Sequence, residues 1–472
     1  FPFTRLLSRL VILPVALPPL VGVIAFLFVF GESGFLPRLV QRIFILDEVP
    51  FFLDGVSAIV AIHVYSFNVY FYLLVSNALQ QLDGSLLEAA SSLGSSRWNT
   101  FRRVVLPVLR PAFVGASALT FMASMASFSA PLIFAGDRRF LTTQIYVTKL
   151  NGDLEAAAAQ SMLLALISIG FFVLLSLSRR SLKPKTKGAP RTTVMNLSPI
   201  VRRLLIGTAI VVLGLELLPI VSIILISFVK EGSWTWQVFP SAYTVENYAR
   251  LLLDSRVFEP IRNSLLMSAL TVVAAVVVGV TAAFVVVKGE LGRSRLAVDT
   301  ILNVSFAIPG TVIAIGLIYT FNKPMLTSGF TVLVGSFWIL PLAYFIRTYP
   351  LVVRSTTAAL EQLDDSLLEA GATFGAGTFT RFRRIALPLI LPGIVTGSLL
   401  VLIASLGEFV SSILLYTYSS RPISIEILSQ LRGYNFGAAA AYCVFLIVLI
   451  FILTLLSSRL NKRGFGGEGL NF

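Results

Sequence analysis

The chain has 472 residues, of which 56% are hydrophobic and 13% are charged, and its formal net charge is +14. A water-soluble protein of this length needs far more charge to cover its surface, so the composition indicates an integral membrane protein. One cysteine, Cys443, and one histidine, His63, exclude an internal disulfide and argue against a Cys- or His-based metal centre. We therefore expect no metal site and no cofactor.

Apolar segments that could cross a bilayer recur along the chain. About 20 apolar residues are needed to span the hydrocarbon core as a helix, and open strands cannot satisfy their backbone groups in lipid. We predict an all-α, polytopic transmembrane helical bundle with ten spans. They are 11–30, 56–75, 112–135, 162–177, 204–229, 265–287, 304–321, 331–353, 393–415 and 437–456.

Clusters of Lys and Arg predict the orientation of these spans. With ten spans, the main basic clusters all fall on one face, which the positive-inside rule assigns to the cytoplasm. We interpret the excess of positive charge as this topology signal and not as nucleic-acid binding. The clusters lie at 97–103, 179–203, 288–295, 381–384 and 459–463.

A motif occurs twice, and the copies lie 281 residues apart. The first copy runs from Gln81 through Glu88-Ala89-Ala90 and Gly94 to Leu106-Pro107, and the second runs from Gln362 through Glu369-Ala370-Gly371 and Gly375 to Leu387-Pro388. Six spans separate the copies, so the two halves have the same orientation. This pattern predicts two parallel repeats about an axis along the membrane normal.

Each copy has the pattern of a short helix with one apolar face. Leu82, Leu86, Ala89 and Leu93 recur at helical spacing. Gly94 follows them where a left-handed cap would let the chain turn. Such a helix could dock in a groove on a partner or lie on lipid headgroups, and the duplication favours docking.

The duplicated motif resembles the cytoplasmic loop of permeases in bacterial binding-protein-dependent ABC importers. That family has Glu-Ala-Ala, three residues, Gly, nine residues, and then an aliphatic residue, any residue and Leu-Pro. This chain departs from the pattern at Gly371, where the family has Ala, and at Val104, where it has Ile.

The resemblance implies a role for the loops and a set of partners. It implies that each loop is a coupling helix in a cleft of a separate ATP-hydrolysing subunit, which would be a homodimer. It also implies a periplasmic solute-binding protein as a partner. The chain itself would lie in the bacterial inner membrane, with the lipid bilayer around it. The coupling residues would be Glu88, Ala89, Ala90, Gly94, Glu369, Ala370, Gly371 and Gly375.

The resemblance also implies an organisation for the whole chain. It predicts a first permease half at 1–180, a cytoplasmic linker at 181–198 and a second half at 199–472. Four spans precede the motif in the second half and two precede it in the first, so we expect two further spans before residue 1. Fused permeases of the ferric-iron type have this layout, and related ones handle aminoethylphosphonate, thiamine or polyamines.

No energy source for transport is encoded in these residues. No lysine follows a glycine, so the Gly-Lys-Ser/Thr of a phosphate-binding loop is absent. We therefore expect a transport subunit that is not an enzyme. A secondary transporter is the rival interpretation, but it has no need of two loops that dock an ATPase.

A few residues inside the spans are candidates for the translocation path. Glu408 lies in a predicted span and its counterpart, 281 residues earlier, is Ser127. A charged side chain in lipid is costly, so Glu408 should face the interior, either along the path or bonded to a neighbouring helix. Pro18, Pro19 and Pro309 interrupt two equivalent spans, which indicates either the path at a repeat interface or kinks for packing.

Overall fold

The computed structural model describes residues 17–181, 198–234, 237–289, 292–324, 329 and 331–464. Most of the predicted linker (182–197) and the start of the first predicted span (11–16) lie outside these residues. The described residues form helices and contain no β-strand beyond an isolated bridge between Val229 and Tyr243. The prediction of an all-α membrane protein is confirmed.

The first half, as used below, means the described residues up to 181. Its helices are α1 (Pro19–Phe30), α2 (Phe35–Ile43), α3 (Gly55–Gln80), α4 (Gly84–Ser92), α5 (Leu106–Met125), α6 (Ser129–Phe134), α7 (Leu141–Leu150) and α8 (Leu154–Ser181). A one-turn helix, Arg97–Thr100, and a π-helical turn, Phe101–Val105, lead directly into α5.

The second half means the described residues from 198 onward. Its helices are α9 (Pro199–Ser227), α10 (Glu246–Leu253), α11 (Ser255–Lys288), α12 (Arg295–Val304), α13 (Gly310–Phe321), α14 (Ile339–Glu361), α15 (Asp365–Thr373), α16 (Leu387–Leu406), α17 (Val410–Leu415), α18 (Ile423–Arg432) and α19 (Phe436–Gly464).

The internal repeat is visible in the helix boundaries. Helices α4 to α6 of the first half correspond to α15 to α17 of the second, and both ends of each helix recur at the 281-residue offset. The π-helical turn before α5 recurs before α16, at Phe382–Ala386. The repeat therefore reproduces local backbone geometry as well as sequence.

Eight of the described helices are long and apolar enough to cross a membrane, and a bent pair made of α12 and α13 adds a ninth candidate. The two helices of that pair meet at 98°. Helix α14 is not among them, because Arg347 and Arg354 lower its hydropathy, although it corresponds to the predicted span 331–353.

The predicted spans 112–135 and 393–415 are each broken into two helices, which the hydropathy pattern did not predict, whereas the predicted interruption of 304–321 at Pro309 is present. Helix α16 ends at Leu406, and α17 begins after a break in which the Glu408 carboxylate accepts the backbone N–H of Ser411. A side chain that caps a new helix in this way competes with continuation of the old one. The first half breaks at the equivalent place, between Met125 and Ser129.

Small residues let the helices of the second half approach closely. Val352 of α14 lies between Gly279 of α11 and Gly397 of α16, where a Cβ on either glycine would come within 3 Å of Val352. Close approach of this kind is how membrane helices gain van der Waals contact without a hydrophobic driving force. Helices α11, α14 and α16 consequently form one packed unit.

The two halves are joined by polar contacts between α9 and α3. The Asn68 side chain donates to Oε1 of Glu216 at 3.1 Å, and the Tyr65 hydroxyl donates to the backbone oxygen of Glu216 at 3.2 Å. Glu216 is buried, so these bonds satisfy polar groups that lipid could not. His63 also bonds within the bundle, to the Ser124 hydroxyl at 2.9 Å.

We expect Asn68→Leu to lower the stability of the purified chain by about 1 kcal/mol, because it removes the donor to a buried carboxylate. Glu216→Gln keeps an acceptor oxygen and should cost less. Asn77→Leu, on an exposed part of the same helix, is the matched control. Thermal unfolding in detergent measures all three, and equal losses for Asn68→Leu and Asn77→Leu would contradict the assignment.

Candidate functional site

The two loops of the duplicated motif fold alike because the same side chains cap them. Asp83 accepts the backbone N–H of Ser85 at the start of α4, and Asp364 accepts that of Ser366 at the start of α15, both at 2.9 Å. The Ser366 hydrogen bonds lower the pKa of Asp364. Each predicted helix is therefore present and fixed at its start.

Glycine ends both helices in the predicted way. Gly94 and Gly375 have φ angles of 72° and 79°, in the left-handed region that favours glycine. The amides of Ser95 and Ala376 then donate back into the last turn, to Ala90 and Gly371. The predicted glycine caps are confirmed, and they turn the chain sharply after each helix.

Each turn exposes a pair of large apolar side chains. Leu93 and Trp98 form the first pair, and Phe374 and Phe379 the second, at the same 281-residue offset. Their exposed fractions are 87% for Leu93, 67% for Trp98, 90% for Phe374 and 72% for Phe379. Matched apolar patches on two loops are typical of binding surfaces. The sequence analysis missed Trp98 and Phe379, although aromatic residues at equivalent positions were a usable signal.

The acidic residues of the loops are also accessible. Glu88 and Glu369 are exposed, as are Ala89 and Ala370 next to them. Ala90, by contrast, is buried. The exposed residues of the motif are thus available to a partner, while the third position of the motif packs inside the loop.

That third position lies next to the aliphatic residue at which the other departure from the family pattern occurs. A Cβ on Gly371 would lie 2.7 Å from Cδ1 of Ile385, so glycine leaves room for the larger aliphatic residue. The first copy has Ala90 and Val104 at these positions, with a larger residue in the helix and a smaller one after it. The two differences compensate in volume.

Charge distinguishes the two loops. Lys288 at the end of α11 forms an ion pair with Asp365, and Arg295 of α12 pairs with Glu361 at 2.9 Å. The first-half counterparts of Asp365 and Glu361 are Gly84 and Gln80, which carry no charge. These two ion pairs hold the second loop and the end of α14 to α11 and α12 of the same half.

The two helix breaks meet at the interface between the halves. Phe128 and Phe409, which are equivalent by the 281-residue offset, contact each other with ring centroids 5.9 Å apart, and both are buried. Pro18 packs against Gly407, where a Cβ would lie 3.1 Å from the proline ring. The contact between equivalent residues places the repeat axis between the two rings.

The candidate path residues have different surroundings. Pro18 and Pro309 are buried and precede α1 and α13, whereas Pro19 is exposed. Ser127 is half-buried and its backbone oxygen accepts the Thr142 hydroxyl at 2.8 Å. The structure therefore brings Pro18 and Glu408 to one interface, while Pro19 lies at the surface.

Glu408 is held by several donors. Nη1 of Arg347 donates to both carboxylate oxygens, at 2.9 and 2.8 Å, and the Ser411 N–H donates to Oε1. Its backbone oxygen accepts the hydroxyls of Ser412 and Ser424. Of the two roles considered from sequence, the bond to a neighbouring helix is present, and a place along the translocation path stays a prediction.

Arg347 was missed in the sequence analysis. It lies within α14, and an arginine inside an apolar span was itself the signal. Among the residues that the structure describes, no group of three or more His, Cys, Asp or Glu side chains could hold a metal ion. The charged feature at the interface is instead the partly buried Arg347–Glu408 ion pair.

Comparisons with known proteins agree with the duplicated architecture. A family model described as "Binding-protein-dependent transport system inner membrane component" matches residues 1–188 and 275–464. These two matched segments contain the two cytoplasmic loops, one in each. The family match therefore covers more than half of the chain and falls on both halves.

Three curated relatives illustrate the similarity. A probable ABC transporter permease of Sinorhizobium fredii is 30% identical over 95% of this chain and 80% of its own length. A ferric transport system permease of Actinobacillus pleuropneumoniae is 26% identical over 94% of this chain, which spans 64% of that protein. The thiamine transport system permease of Escherichia coli is 25% identical over 98% of this chain and 83% of its own length.

The packing of Gly371 against Ile385 generates a prediction. Gly371→Ala has two opposing effects on α15, because alanine gains about 1 kcal/mol over glycine in a helix, whereas its Cβ must displace Cδ1 of Ile385, the end of a flexible side chain. Amide hydrogen exchange in α15 should therefore slow less in Gly371→Ala than in Gly371→Ala/Ile385→Val, which recreates the first copy and removes the close contact. Gly377→Ala is the matched control, since a Cβ there has open space. Equal exchange rates in the single and the double variant would refute the compensation.

Proposed function

This chain belongs to the family of binding-protein-dependent transport system inner membrane components, and we propose that the loops at α4 and α15 couple it to ATP hydrolysis on separate subunits. It is a permease subunit of an ABC importer and a multi-pass protein of the bacterial inner membrane. The chain spans 80% of one relative and about two thirds of the ferric permease, so its partners and substrate are matters of proposal.

The matched apolar tips of the two loops carry the coupling proposal. Leu93 with Trp98, and Phe374 with Phe379, expose large apolar side chains at equivalent places. Burying such side chains in a partner is favourable, at about 25 cal/mol per Å² of apolar area. Two equivalent loops fit two copies of one partner, which supports a homodimeric ATP-binding subunit.

Chain organisation follows from the same duplication. A first half at 1–180 and a second at 199–472 would each present one coupling loop, with the linker at 181–198 between them on the cytoplasmic side. The solute would pass between the halves, where Phe128 contacts Phe409 and closes the space at the repeat axis. A periplasmic binding protein would deliver it from the opposite face.

Ferric iron is the substrate that we propose. The ferric permease of Actinobacillus pleuropneumoniae aligns with 94% of this chain. The thiamine permease of Escherichia coli aligns with 98%, so an organic cation is the second candidate. Uptake of radiolabelled iron and of thiamine, by the importer assembled with its binding protein and ATPase, decides between them.

We expect Glu88→Arg/Glu369→Arg to abolish solute-stimulated ATP hydrolysis while the permease stays in the membrane, because reversed charge on both loops disrupts the docking surface. The measurement is ATPase activity of the assembled importer with and without its loaded binding protein.

Arg203→Glu is the matched control for this prediction, since Arg203 is exposed near the start of α9, on the same side as the linker and outside both loops. It should leave stimulation unchanged. Full stimulation in the double variant would remove the coupling role from these loops.

A further inference from the structure

We propose that Arg347 is an oxyanion-binding residue of the translocation path, which contacts a carboxylate or phosphate group that travels with the solute. The inference rests on the proposed function, because it takes the space between the halves as the path. It assigns the interface a charge preference opposite to that expected from Glu408 alone.

Glu408 is not available to a passing cation. Only 7% of its side chain is exposed, and both carboxylate oxygens accept hydrogen bonds from Arg347. Oε1 also accepts the Ser411 N–H. A carboxylate that is buried and bonded by two donors is already neutralised, so a metal ion would have to break these bonds to reach it.

Arg347, by contrast, uses only part of its hydrogen-bonding capacity. Both hydrogen bonds that it donates within the described part of the chain come from Nη1. A guanidinium has five N–H donors, so the Nε and Nη2 edge remains for a second partner. The side chain is 30% exposed, which leaves room for that partner.

The surroundings of Arg347 are built to admit its side chain. A Cβ on Gly310 would lie 2.6 Å from Nη1 of Arg347 and 3.1 Å from the Ser411 hydroxyl. The break before α13 therefore supplies the space in which the guanidinium meets Glu408. Substituting any larger residue at Gly310 would displace the pair.

The guanidinium also lies toward the other half. Glu408, its partner, is flanked by Gly407 and Phe409, which contact Pro18 and Phe128 of the first half. Arg347 is thus placed where the halves face each other and not where α14 meets lipid.

A purely structural role does not account for the pair. By the 281-residue offset, Ser66 stands where the second half has Arg347, and Ser127 stands where it has Glu408. The first half nevertheless forms the equivalent helix break, between Met125 and Ser129. The helix break can therefore form without an ion pair, so the pair is not required for the break. A solute that passes along the repeat axis, by contrast, can be contacted by a charged residue of one half alone.

Guanidinium chemistry identifies the ligand class. Arginine pairs with carboxylate and phosphate through two parallel N–H donors, and it repels a bare metal ion. We therefore infer that the importer handles an anion or a metal accompanied by anionic oxygen ligands. For ferric iron this means a carboxylate or phosphate complex rather than the free ion.

The test uses the assembled importer in lipid nanodiscs, with citrate and inorganic phosphate as probes and potassium chloride at equal ionic strength as the salt control. Citrate or phosphate should raise the midpoint of thermal unfolding of the wild type in a saturable way. In Arg347→Gln/Glu408→Gln, which removes both charges together, half-saturation should need at least about ten times more anion. Arg354→Gln, on the same helix, is the matched control and should behave as wild type.

Several outcomes would overturn the inference. Equal stabilisation of the wild type and the double variant would show that the anion binds elsewhere, and stabilisation by chloride alone would show a salt effect. If the double variant does not assemble, Arg347→Lys replaces it and should show the same loss, because lysine lacks the two-donor edge. Retained half-saturation in Arg347→Lys would also count against the site.

Uptake of radiolabelled ferric citrate separates this inference from the proposed substrate. A wild type that shows Arg347-dependent stabilisation but imports no iron would leave the oxyanion site in place and remove ferric iron as the solute. A double variant that imports ferric citrate at the wild-type rate would remove Arg347 from the path.

Discussion

Hydrocarbon offers no hydrogen-bond partner, so a helix can be interrupted in a membrane only where protein surrounds the interruption. The breaks after α5 and α16 obey this constraint, since Phe128 and Phe409 bury them against each other at the repeat axis. The bend before α13 obeys it too, because Gly310 packs against Arg347 and Ser411. The same constraint therefore gathers the irregular backbone, and the polar groups that it exposes, into the space between the halves.

The duplication is kept in some places and relaxed in others. The two loops of the duplicated motif agree in caps, glycine turns and exposed apolar tips, and where they differ at Gly371 and Ile385 the volumes compensate. The interior differs sharply, with a partly buried charged pair in the second half and serines in the first. The loops are therefore matched surfaces, while the interface between the halves is asymmetric.

Much of this architecture could be predicted from sequence, and the reasons differ by region. The loops at α4 and α15 have local signals, namely helical spacing of leucines and a glycine at the cap, so their helices and turns were predicted correctly. The helix breaks at Ala126 and Gly407 were not predicted, because a run of apolar residues has the same hydropathy whether its helix is continuous or broken. The Arg347–Glu408 pair joins residues 61 positions apart, and no local pattern encodes that contact.

Glycine at position 310 connects the regular and irregular parts of the second half. It begins α13 after Pro309, and its missing side chain is what admits the Arg347 guanidinium to Glu408. The first half has Pro19 at the equivalent first position of α1, after Pro18, and the 281-residue offset gives it Ser66 and Ser127 where the second half has Arg347 and Glu408. A residue larger than glycine at the helix start and uncharged residues at the interface thus occur together, as do glycine and the ion pair. Gly310, Arg347 and Glu408 are consequently one structural unit, and the asymmetry of the interface depends on all three residues.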